Sequence, residues 1–571
     1  MNRIRLQYRL PSVGRPAADT GAHRGRLPAR VFLAARRVCE STKRRVGSLS
    51  AFEMAALALI VAAIVLRFYD FWKLPGINGD EPWYGVQALR FTAGEQVDVR
   101  TPTGNLQSPL QPGLLWALHF FVDPAPSLLR IPTLVSSILQ IGVMAWGANR
   151  VFGRRAAFAA ATMCAVLPLN IAYARFGQDP DHLGLVAALA TVAVLNRRLI
   201  LGVALYAFGI WVHPTCVFLA PFLLLVSIGA ELPERRSGRA WLRCAAAIVG
   251  FGAAALLVKL IVSDGNRFAN LHQIWDRLSS LDRWLLQGTR LAHFFLGDTT
   301  YQYIAGARFP GPQAAWAIAF WLIAGFLVGF GMWRLIRARD LRGLAIVVGA
   351  MATHFAFYLI GGPQALAPSV ERYGLCLVVP SLFAAVVLAG AGKKPDSSEL
   401  AATKGLSSIA VSRLCRTAPV VAGVAWIVMG VMLLAGFTRY YLVELLHTGS
   451  RSEQTFWTGP TEPKAAAVQR ILSERRPGSS VVIVADGWWT YWIVRYLTYR
   501  SPDVLVTEGL SRATLRSPGK DVFVMGYPDG PVGDLIGKFG GTKEFERFDV
   551  PGYGRQSVIQ LWHHKRIGTA A

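Results

Sequence analysis

Residues 51–84, AFEMAALALIVAAIVLRFYDFWKLPGINGDEPWY, join a long apolar run to a polar segment. A helix needs about 20 mostly apolar residues to cross a bilayer, and residues 51–69 meet that requirement. Two adjacent carboxylates, Asp80 and Glu81, follow shortly after the run. Ionisable groups in or near lipid are costly unless they are solvated or used, so they are a functional hypothesis by default. The stretch predicts a membrane protein with candidate chemistry at one membrane face.

The composition supports a membrane domain with a tail rather than several soluble domains. Of 571 residues, 53% are apolar and 16% are charged, whereas soluble domains carry about 25% charged residues. The formal net charge of +26 also raises nucleic-acid binding. The basic residues cluster between the apolar runs, which is the pattern that membrane topology requires. We therefore do not expect a nucleic-acid partner.

Eleven apolar stretches approach the length of a membrane span. They lie near residues 51–69, 128–147, 156–173, 182–196, 199–212, 214–230, 244–262, 312–335, 342–361, 373–391 and 418–437. Only His213 separates the pair 199–212 and 214–230. That pair is either two spans or one long element, kinked or re-entrant at Pro214.

The distribution of arginine and lysine predicts the orientation of these spans. Residues 1–50 hold twelve Arg or Lys and are predicted to form a cytoplasmic, partly disordered arm near anionic lipid. With that end inside, the arginine-rich connectors also fall inside, as the positive-inside rule requires. The predicted outer segments are residues 70–127, 174–181, 213, 263–311 and 362–372. Eleven spans place the C-terminal tail outside a plasma (inner) membrane.

Two further segments complete the predicted architecture. Residues 108–122, SPLQPGLLWALHFFV, are too short to span and are predicted to form an interfacial helix. Residues 450–571 contain short β-branched runs at 481–484, 503–506, 521–525 and 557–561, which indicate a small extracytoplasmic α/β domain. The predicted fold class is mostly α, a polytopic transmembrane helical bundle spanning 51–440, with this C-terminal domain at 450–571.

A disulfide framework and a structural zinc site are not expected, and the use of a divalent metal is left open. The six cysteines show no CxxC spacing, which disfavours a disulfide framework or structural zinc site. Asp179-Pro180-Asp181 has D-x-D form, but such a pair in a short loop is weak evidence for a metal. No G-x-G-x-x-G or P-loop accompanies the C-terminal strands, so no nucleotide cofactor is expected.

The predicted topology brings charged motifs from distant parts of the chain to one face. They are Asp80-Glu81, Arg130-Ile131-Pro132, Arg175 with Asp179 and Asp181, His213, and Glu371-Arg372-Tyr373. A transporter more often places its ionisable groups near the membrane midplane. The one-sided distribution favours a reaction at the outer face.

The order of these motifs resembles that of the membrane-embedded GT-C glycosyltransferases. The nearest type is the dolichyl-phosphate-mannose–protein mannosyltransferase superfamily, with bacterial relatives such as lipid A aminoarabinose transferases. The matching features are Asp80-Glu81 after the first span, Pro109-Leu110, Arg130-Ile131-Pro132, Tyr173-Ala174-Arg175 followed by an acid, and Glu371-Arg372-Tyr373 with the later Pro380. The resemblance covers roughly residues 50–390.

The resemblance implies a polyprenyl-phosphate sugar donor used at the outer leaflet. A hydroxyl becomes a good nucleophile when a base accepts its proton, and Asp80, with Glu81 second, is the candidate catalytic residue. The leaving phosphate needs positive charge, for which Arg175, Arg372 and His213 are candidates. Sugar or acceptor binding is assigned to Asp179, Asp181, Tyr84 and Tyr373.

Each assignment has a structural alternative. Asp80 is otherwise a hydrated surface acid, Arg130 a headgroup anchor, Arg372 a partner of Glu371, and His213 a capping histidine before Pro214. In the tail, Trp488, Trp489 and Trp492 either stack on sugar rings or belong to the domain core or an interfacial belt.

The predicted function is a membrane glycosyltransferase, a hexosyl- or pentosyltransferase. It would move a sugar from a polyprenyl-phosphate-linked donor to a cell-envelope glycan, lipid or protein. The alternatives are a transporter or flippase for a lipid-linked glycan, and a binding or scaffolding protein without catalysis. A transporter needs charges inside its spans, and few charged residues lie within the apolar stretches.

Overall fold

The computed structural model describes residues 49–102, 104–231, 237–262, 271–282, 284, 293–307, 312–361, 371–390, 408–516 and 519–564. The basic arm predicted at residues 1–50 lies outside these ranges except for its last two residues. The chain divides into two compact units, Met1–Met54 and Ala55–Ala571, and the second holds every candidate site residue. In the first unit, the Glu53 carboxylate accepts hydrogen bonds from the backbone N–H and the hydroxyl of Ser50.

Helices make up most of the second unit and the end of the first. In chain order they are α1 Ala51–Phe68, α2 Asp80–Thr92, α3 Leu110–His119, α4 Pro126–Phe152, α5 Arg154–Val166, α6 Pro168–Tyr173, α7 Leu183–Leu195, α8 Leu199–Val212, α9 Ala220–Glu231, α10 Gly238–Leu256, α11 Val258–Ile261, α12 Leu271–Ser279, α13 Asp298–Ala305, α14 Pro312–Arg337, α15 Leu341–Ile360, α16 Leu375–Leu388, α17 Ser408–Phe437, α18 Glu444–Thr448, α19 Pro463–Glu474, α20 Trp488–Leu497, α21 Arg512–Arg516 and α22 Val532–Lys538. Short 3₁₀-helices cover Asp179–His182, Pro214–Leu219, Glu371–Gly374, Gln454–Phe456 and Gly541–Lys543, and a π-helix covers Thr438–Val443.

The described residues of the eleven apolar stretches lie almost entirely on helices. Within the described residues, seven helical segments are long and apolar enough to cross a membrane, and two apolar helices are shorter, Leu199–Val212 and Arg372–Leu388. The count of eleven spans therefore stays a prediction. The stretch at 156–173 is broken, because α5 ends at Val166 and Pro168 starts α6 at a position where a missing N–H costs nothing.

The pair of stretches around His213 forms separate elements. Helix α8 ends at Val212, and His213 is extended, with φ −155°. The 3₁₀-helix Pro214–Leu219 then packs back on α8 through a hydrogen bond from the Tyr206 hydroxyl to the Val217 carbonyl, 3.0 Å long. Two elements, rather than one long helix kinked at Pro214, describe this region.

The segment predicted to lie in the interface is helix α3. Its 10 residues are too few to span a bilayer. The residues after it, Phe120, Phe121 and Val122, are exposed apolar side chains. Helix α3 packs against α2 and the start of α4, so it borders the segment that carries Asp80.

The C-terminal α/β segment, residues 450–564, contains one five-stranded sheet. Its strands are β1 Ser480–Ala485, β2 Val504–Thr507, β3 Lys520–Gly526, β4 Phe545–Gly552 and β5 Arg555–His564. The order is β2-β1-β3-β5-β4, with β1 parallel to β2 and β3, and β5 antiparallel to β3 and β4. Strand β1 lies between β2 and β3 and is almost entirely buried, which explains its continuous apolar run.

Helix α20 joins the C-terminal α/β segment to the helical bundle. Its residues Ile493 and Tyr496 share one buried apolar cluster with Trp83 and Val86 of α2 and Leu129 of α4. Gly85 permits this contact, because a Cβ there would lie 2.6 Å from the Tyr496 ring. The sheet is thereby placed beside the segment that carries Asp80.

Candidate functional site

Asp80 and Glu81 begin helix α2 but occupy different environments. Successive residues of an α-helix point about 100° apart, since one turn takes 3.6 residues. Glu81 is fully buried, whereas Asp80 is only half-buried. The two carboxylates, equivalent candidates in the sequence, therefore have different access to a substrate.

Glu81 forms a buried, bidentate ion pair with Arg130 of α4. The Nε–Oε2 distance is 2.7 Å and the Nη2–Oε1 distance is 2.8 Å, and both side chains are fully buried. The carboxylate also accepts the backbone N–H groups of Asn78 and Gly177. With both oxygens occupied inside the protein, Glu81 is suited to a structural role and not to proton transfer.

Arg130 binds Glu81 and also fixes the loop that precedes α2. Its Nη1 donates to the carbonyls of Phe71 and Pro75, at 2.8 and 3.0 Å. The side chain has no solvent exposure. The reading of Arg130 as a headgroup anchor is therefore wrong: it pairs internally and shapes the approach to Asp80.

Asp80 is held by one side chain from a distant part of the sequence. The indole N–H of Trp488, the first residue of α20, donates to its Oδ1 at 3.0 Å. The Asp80 backbone N–H donates to the Asn78 side chain. Across the described residues, no other protein donor reaches the Asp80 carboxylate. Its remaining oxygen is therefore available to a substrate.

Arg372 lies close enough to Asp80 to interact with it electrostatically. Its 3₁₀-helix, Glu371–Gly374, packs against α6 and the 3₁₀-helix Asp179–His182. Nη2 donates to the Tyr373 hydroxyl at 2.9 Å, and the guanidinium lies 4.8 Å from the centre of the same ring. The buried Nε has no hydrogen-bond partner among the described residues, although the Glu371 side chain is not among those described.

Arg175 has a different environment from Arg372. It is fully buried, and it donates to the carbonyls of Leu66, Tyr69 and Leu74 at 2.6, 2.7 and 2.8 Å. The last carbonyls of a helix lack partners within the helix, and Arg175 satisfies them at the end of α1. Its role as a phosphate ligand finds no support in this geometry.

Asp179 is buried and bound within the protein. It accepts the backbone N–H of Gln111 at 3.2 Å. Burial raises the pKa of the Asp179 carboxyl to about 8, and hydrogen bonds from Gln111, Ser108 and Tyr84 partly oppose this rise. Asp179 and Tyr84 therefore tie the second predicted outer loop to α2 and α3.

Asp181 is the acid of this loop that faces Arg372. Its Oδ2 accepts the Gln178 backbone N–H at 3.0 Å, while the buried Oδ1 has no partner in the part of the chain described. Burial raises the pKa of Asp181 well above its ordinary range, and Arg372 partly opposes that rise. Of the two acids in the D-x-D triplet, Asp181 is thus the one associated with the Arg372 group.

His213 stacks on Tyr373, with ring centroids 5.1 Å apart and planes 10° apart. Its Nδ1 accepts the Thr215 backbone N–H, so the histidine also caps the 3₁₀-helix that follows, which is the structural alternative. Tyr373 therefore contacts both His213 and Arg372. The structure brings Asp80, Arg372, Tyr373, His213 and Asp181 to one region, together with Tyr173 and Tyr303.

Among the described residues, no group of three or more His, Cys, Asp or Glu is arranged to hold a metal ion.

The sequence did not indicate the contributions of Trp488 and Tyr303. A usable signal existed for Trp488, because functional residues often follow the carboxyl end of a parallel strand, and Trp488 follows β1.

Neither a protein-family model nor a curated protein sequence matches the chain. Among solved structures, ArnT from Cupriavidus metallidurans in the apo state is similar, with 16% identity, a TM-score of 0.50, and coverage of 89% of this chain and 97% of ArnT. The same ArnT bound to undecaprenyl phosphate gives 15% identity, a TM-score of 0.48, and coverage of 90% and 99%. The Archaeoglobus fulgidus oligosaccharyltransferase, in complex with Zn and sulfate, has 12% sequence identity and a TM-score of 0.39, and the match covers 79% of this chain and 62% of the oligosaccharyltransferase.

The likeness to apo ArnT shows the fold. ArnT is a member of the GT-C superfamily, so the chain has a GT-C-like fold, and the predicted fold class and resemblance are confirmed. The apolar helices and this fold together indicate a multi-pass membrane protein.

Proposed function

We propose that this chain is a membrane glycosyltransferase that moves a sugar from a polyprenyl-phosphate-linked donor to a cell-envelope acceptor at the outer membrane face. The observation that carries the proposal is an accessible carboxylate near an arginine whose Nε has no partner in the part of the chain that the structure describes. Asp80 is half-buried with one oxygen available, and the nearby Arg372 has a buried Nε without a partner among the described residues. The GT-C-like fold supports this reading.

In the proposed reaction, Asp80 accepts the proton of an acceptor hydroxyl. The acceptor oxygen forms a bond to the anomeric carbon of the sugar, and the bond from that carbon to the phosphate oxygen breaks. The polyprenyl phosphate leaves with the bonding electrons. A positioned base of this kind contributes about 10²–10⁴-fold to a rate. Glu81 is not assigned this step, because its carboxylate is paired with Arg130.

Arg372 would stabilise the charge that develops on the leaving phosphate. A guanidinium keeps its charge and matches phosphate geometry, and a preorganised donor costs no reorganisation during the reaction. The contact with Tyr373, itself stacked on His213, fixes the guanidinium. Arg175 is assigned instead to the end of α1, where its donors are occupied.

Asp181 and Tyr373 are the proposed contacts to the sugar or acceptor. Asp181 has a buried oxygen without a partner in the described region, and Tyr373 presents its ring beside Arg372. Asp179 and Tyr84 are proposed to act indirectly, since they hold the loop against Ser108 and Gln111. The proposal does not require a metal ion.

The decisive test is a comparison of envelope lipids and glycans by mass spectrometry in cells with and without this protein. Cells lacking it should lose one monosaccharide from one acceptor, and the wild-type gene should restore it. Asp80→Asn should fail to restore it while reaching the wild-type protein level. Asp503→Asn is the matched control, because its carboxylate pairs with Arg475 at a partly exposed site, where ion pairs contribute little.

Two results would contradict the proposal. Wild-type amounts of product with Asp80→Asn would remove Asp80 from the reaction. Movement of a labelled lipid-linked glycan across reconstituted vesicles without a new glycosidic bond would instead support the transporter alternative.

A further inference from the structure

The C-terminal α/β segment reaches Asp80 through its first helix after β1. Strand β1 ends at Ala485, and Gly487 adopts φ +74°, a value that glycine reaches without strain. Helix α20 therefore begins within three residues of the strand, with Trp488 at its first position. Its indole nitrogen lies 3.0 Å from Oδ1 of Asp80.

The loop before Asp80 fits closely against the same segment. A Cβ on Gly79 would lie 2.8 Å from the Trp488 carbonyl oxygen and 2.9 Å from the Trp489 ring. The Gly76 backbone N–H donates to the Phe456 carbonyl at 3.1 Å. The Ile77 backbone N–H donates to Oε1 of Glu462 at 3.3 Å. The backbone leading to Asp80 is thus fixed at several points by residues 456–489.

We propose that Trp488 is a positioning residue, whose indole N–H holds Oδ1 of Asp80 so that Oδ2 is presented to the acceptor. The C-terminal α/β segment is therefore part of the active site. This inference rests on the proposed function, because it names a further residue of the same site. An indole can only donate and a carboxylate only accept, so the hydrogen bond runs from Trp488 to Asp80, where Oδ1 accepts it. A hydrogen bond to an ionised acceptor is roughly twice as strong as a neutral one.

The kinetic test uses full-length protein in lipid nanodiscs and the donor found by the mass spectrometry described above. Trp488→Phe keeps an aromatic ring but removes the N–H. Because the carboxylate then adopts several orientations, we expect kcat to fall by about 10- to 100-fold with KM unchanged.

Trp492→Phe is the matched control. Trp492 lies one turn further along α20 and packs on the buried apolar cluster that α2, α4 and α20 share, so it belongs to the core and not to the substrate site. Its ring lies 5.3 Å from that of Trp488. Its Nε1 has no hydrogen-bond partner among the described residues. Removal of that N–H should leave kcat unchanged, which separates loss of the hydrogen bond from loss of an aromatic shape in this helix.

A spectroscopic test needs no transfer activity. In protein labelled with ¹⁵N at the tryptophan indoles, the Trp488 resonance is the one that disappears in Trp488→Phe. Asp80→Asn should move this resonance upfield, because an amide oxygen replaces an ionised acceptor, and should leave the Trp492 resonance in place.

These tests distinguish the two proposals. The positioning role is overturned if Trp488→Phe keeps the wild-type kcat, or if the Trp488 resonance keeps its position in Asp80→Asn. Absence of transfer by the wild-type protein overturns the proposed function and with it any role in catalysis, while the resonance still decides whether the two side chains are paired.

Discussion

The ion pair between Glu81 and Arg130 lies wholly inside the protein, where a charge without its partner is costly. Removing one member of such a pair destabilises a protein by about 3–5 kcal/mol. Its neighbour Asp80 has no cationic hydrogen-bond partner in the described part of the chain and is half-buried. Replacing the carboxylate by an amide should therefore affect stability at Glu81 but not at Asp80.

We expect Glu81→Gln to lower stability and Asp80→Asn to preserve it. In Glu81→Gln the Arg130 guanidinium keeps its charge without a counter-ion, so the free energy of unfolding should fall by about 3–5 kcal/mol. Thermal unfolding in detergent, followed by fluorescence, measures both variants. Equal melting temperatures for the two would contradict the structural role of Glu81.

A second residue-scale prediction concerns pH. Burial raises the pKa of Asp179 to about 8 in the folded protein, against about 3.9 in an unfolded chain. Between these values the folded state binds a proton that the unfolded state lacks. Stability therefore falls as pH rises from about 4 to about 8, by up to about 1.4 kcal/mol per pH unit, and the loss is complete above the folded pKa.

The Asp179→Asn variant checks this dependence. It should flatten the fall in melting temperature between pH 5 and 8 and leave a residual slope, because burial also raises the pKa of Asp181. Asp503→Asn, at a partly exposed site, should keep the wild-type slope. A wild-type slope in Asp179→Asn would show that this carboxyl is ionised throughout.

At the scale of elements, the contact between α2 and α20 decides whether the site is assembled. A Cβ on Gly85 would lie 2.6 Å from the Tyr496 ring and 2.8 Å from a Leu129 methyl. Gly85→Ala should therefore destabilise the protein by about 1–3 kcal/mol through overpacking and loosen the C-terminal α/β segment. Limited proteolysis should release that segment faster from the variant.

Gly113→Ala is the control for this substitution. Gly113 lies within α3, and none of the described atoms lies within 4 Å of the position that a methyl group on it would take. Replacing a glycine inside a helix by alanine stabilises it by about 0.5–1 kcal/mol. Equal proteolysis of the Gly85→Ala and wild-type proteins would contradict the close contact.

Element boundaries were predictable where one force dominated. The apolar runs predicted the helices of the bundle, because a helix that crosses lipid must be long and apolar. The run at residues 108–122 is too short to cross, and this predicted the interfacial helix α3. Strand β4, Phe545–Gly552, was missed: it is an edge strand with several exposed positions. Its sequence FERFDVPG is rich in charge, which protects an edge but hides the strand from an apolar pattern.

At the scale of the whole molecule, the sequence predicts which side of the membrane each end occupies. Arginine-rich connectors should lie in the cytoplasm and the C-terminus outside. Alkaline phosphatase fused after Ala571 should therefore be active, whereas a fusion at Arg198, between α7 and α8, should be inactive. Activity in the reverse order would invert the predicted topology and, with it, the proposed face of reaction.

The sequence predicted which membrane face carries the candidate site, but it did not predict the contacts that each side chain makes there. Topology and motif order brought Asp80 and Arg372 together, and the structure has them within electrostatic reach. The sequence could not separate Arg372 from Arg175, since both follow the same pattern of charge near a span end. Only the structure distinguishes Arg175, whose guanidinium donates to backbone carbonyls, from Arg372, whose Nε has no partner among the described residues.

The contacts that fix the Asp80 loop also set an order of events during biosynthesis. Arg175 satisfies carbonyls 109 residues earlier in the chain, and the Ile77 N–H meets Glu462, 385 residues later. Because a ribosome makes the chain from its N-terminus, Asp80 enters the membrane long before its supports exist. If the proposed function holds, nascent chains and truncated products should be inert toward lipid-linked sugar, and transfer should begin only once translation has passed Trp488.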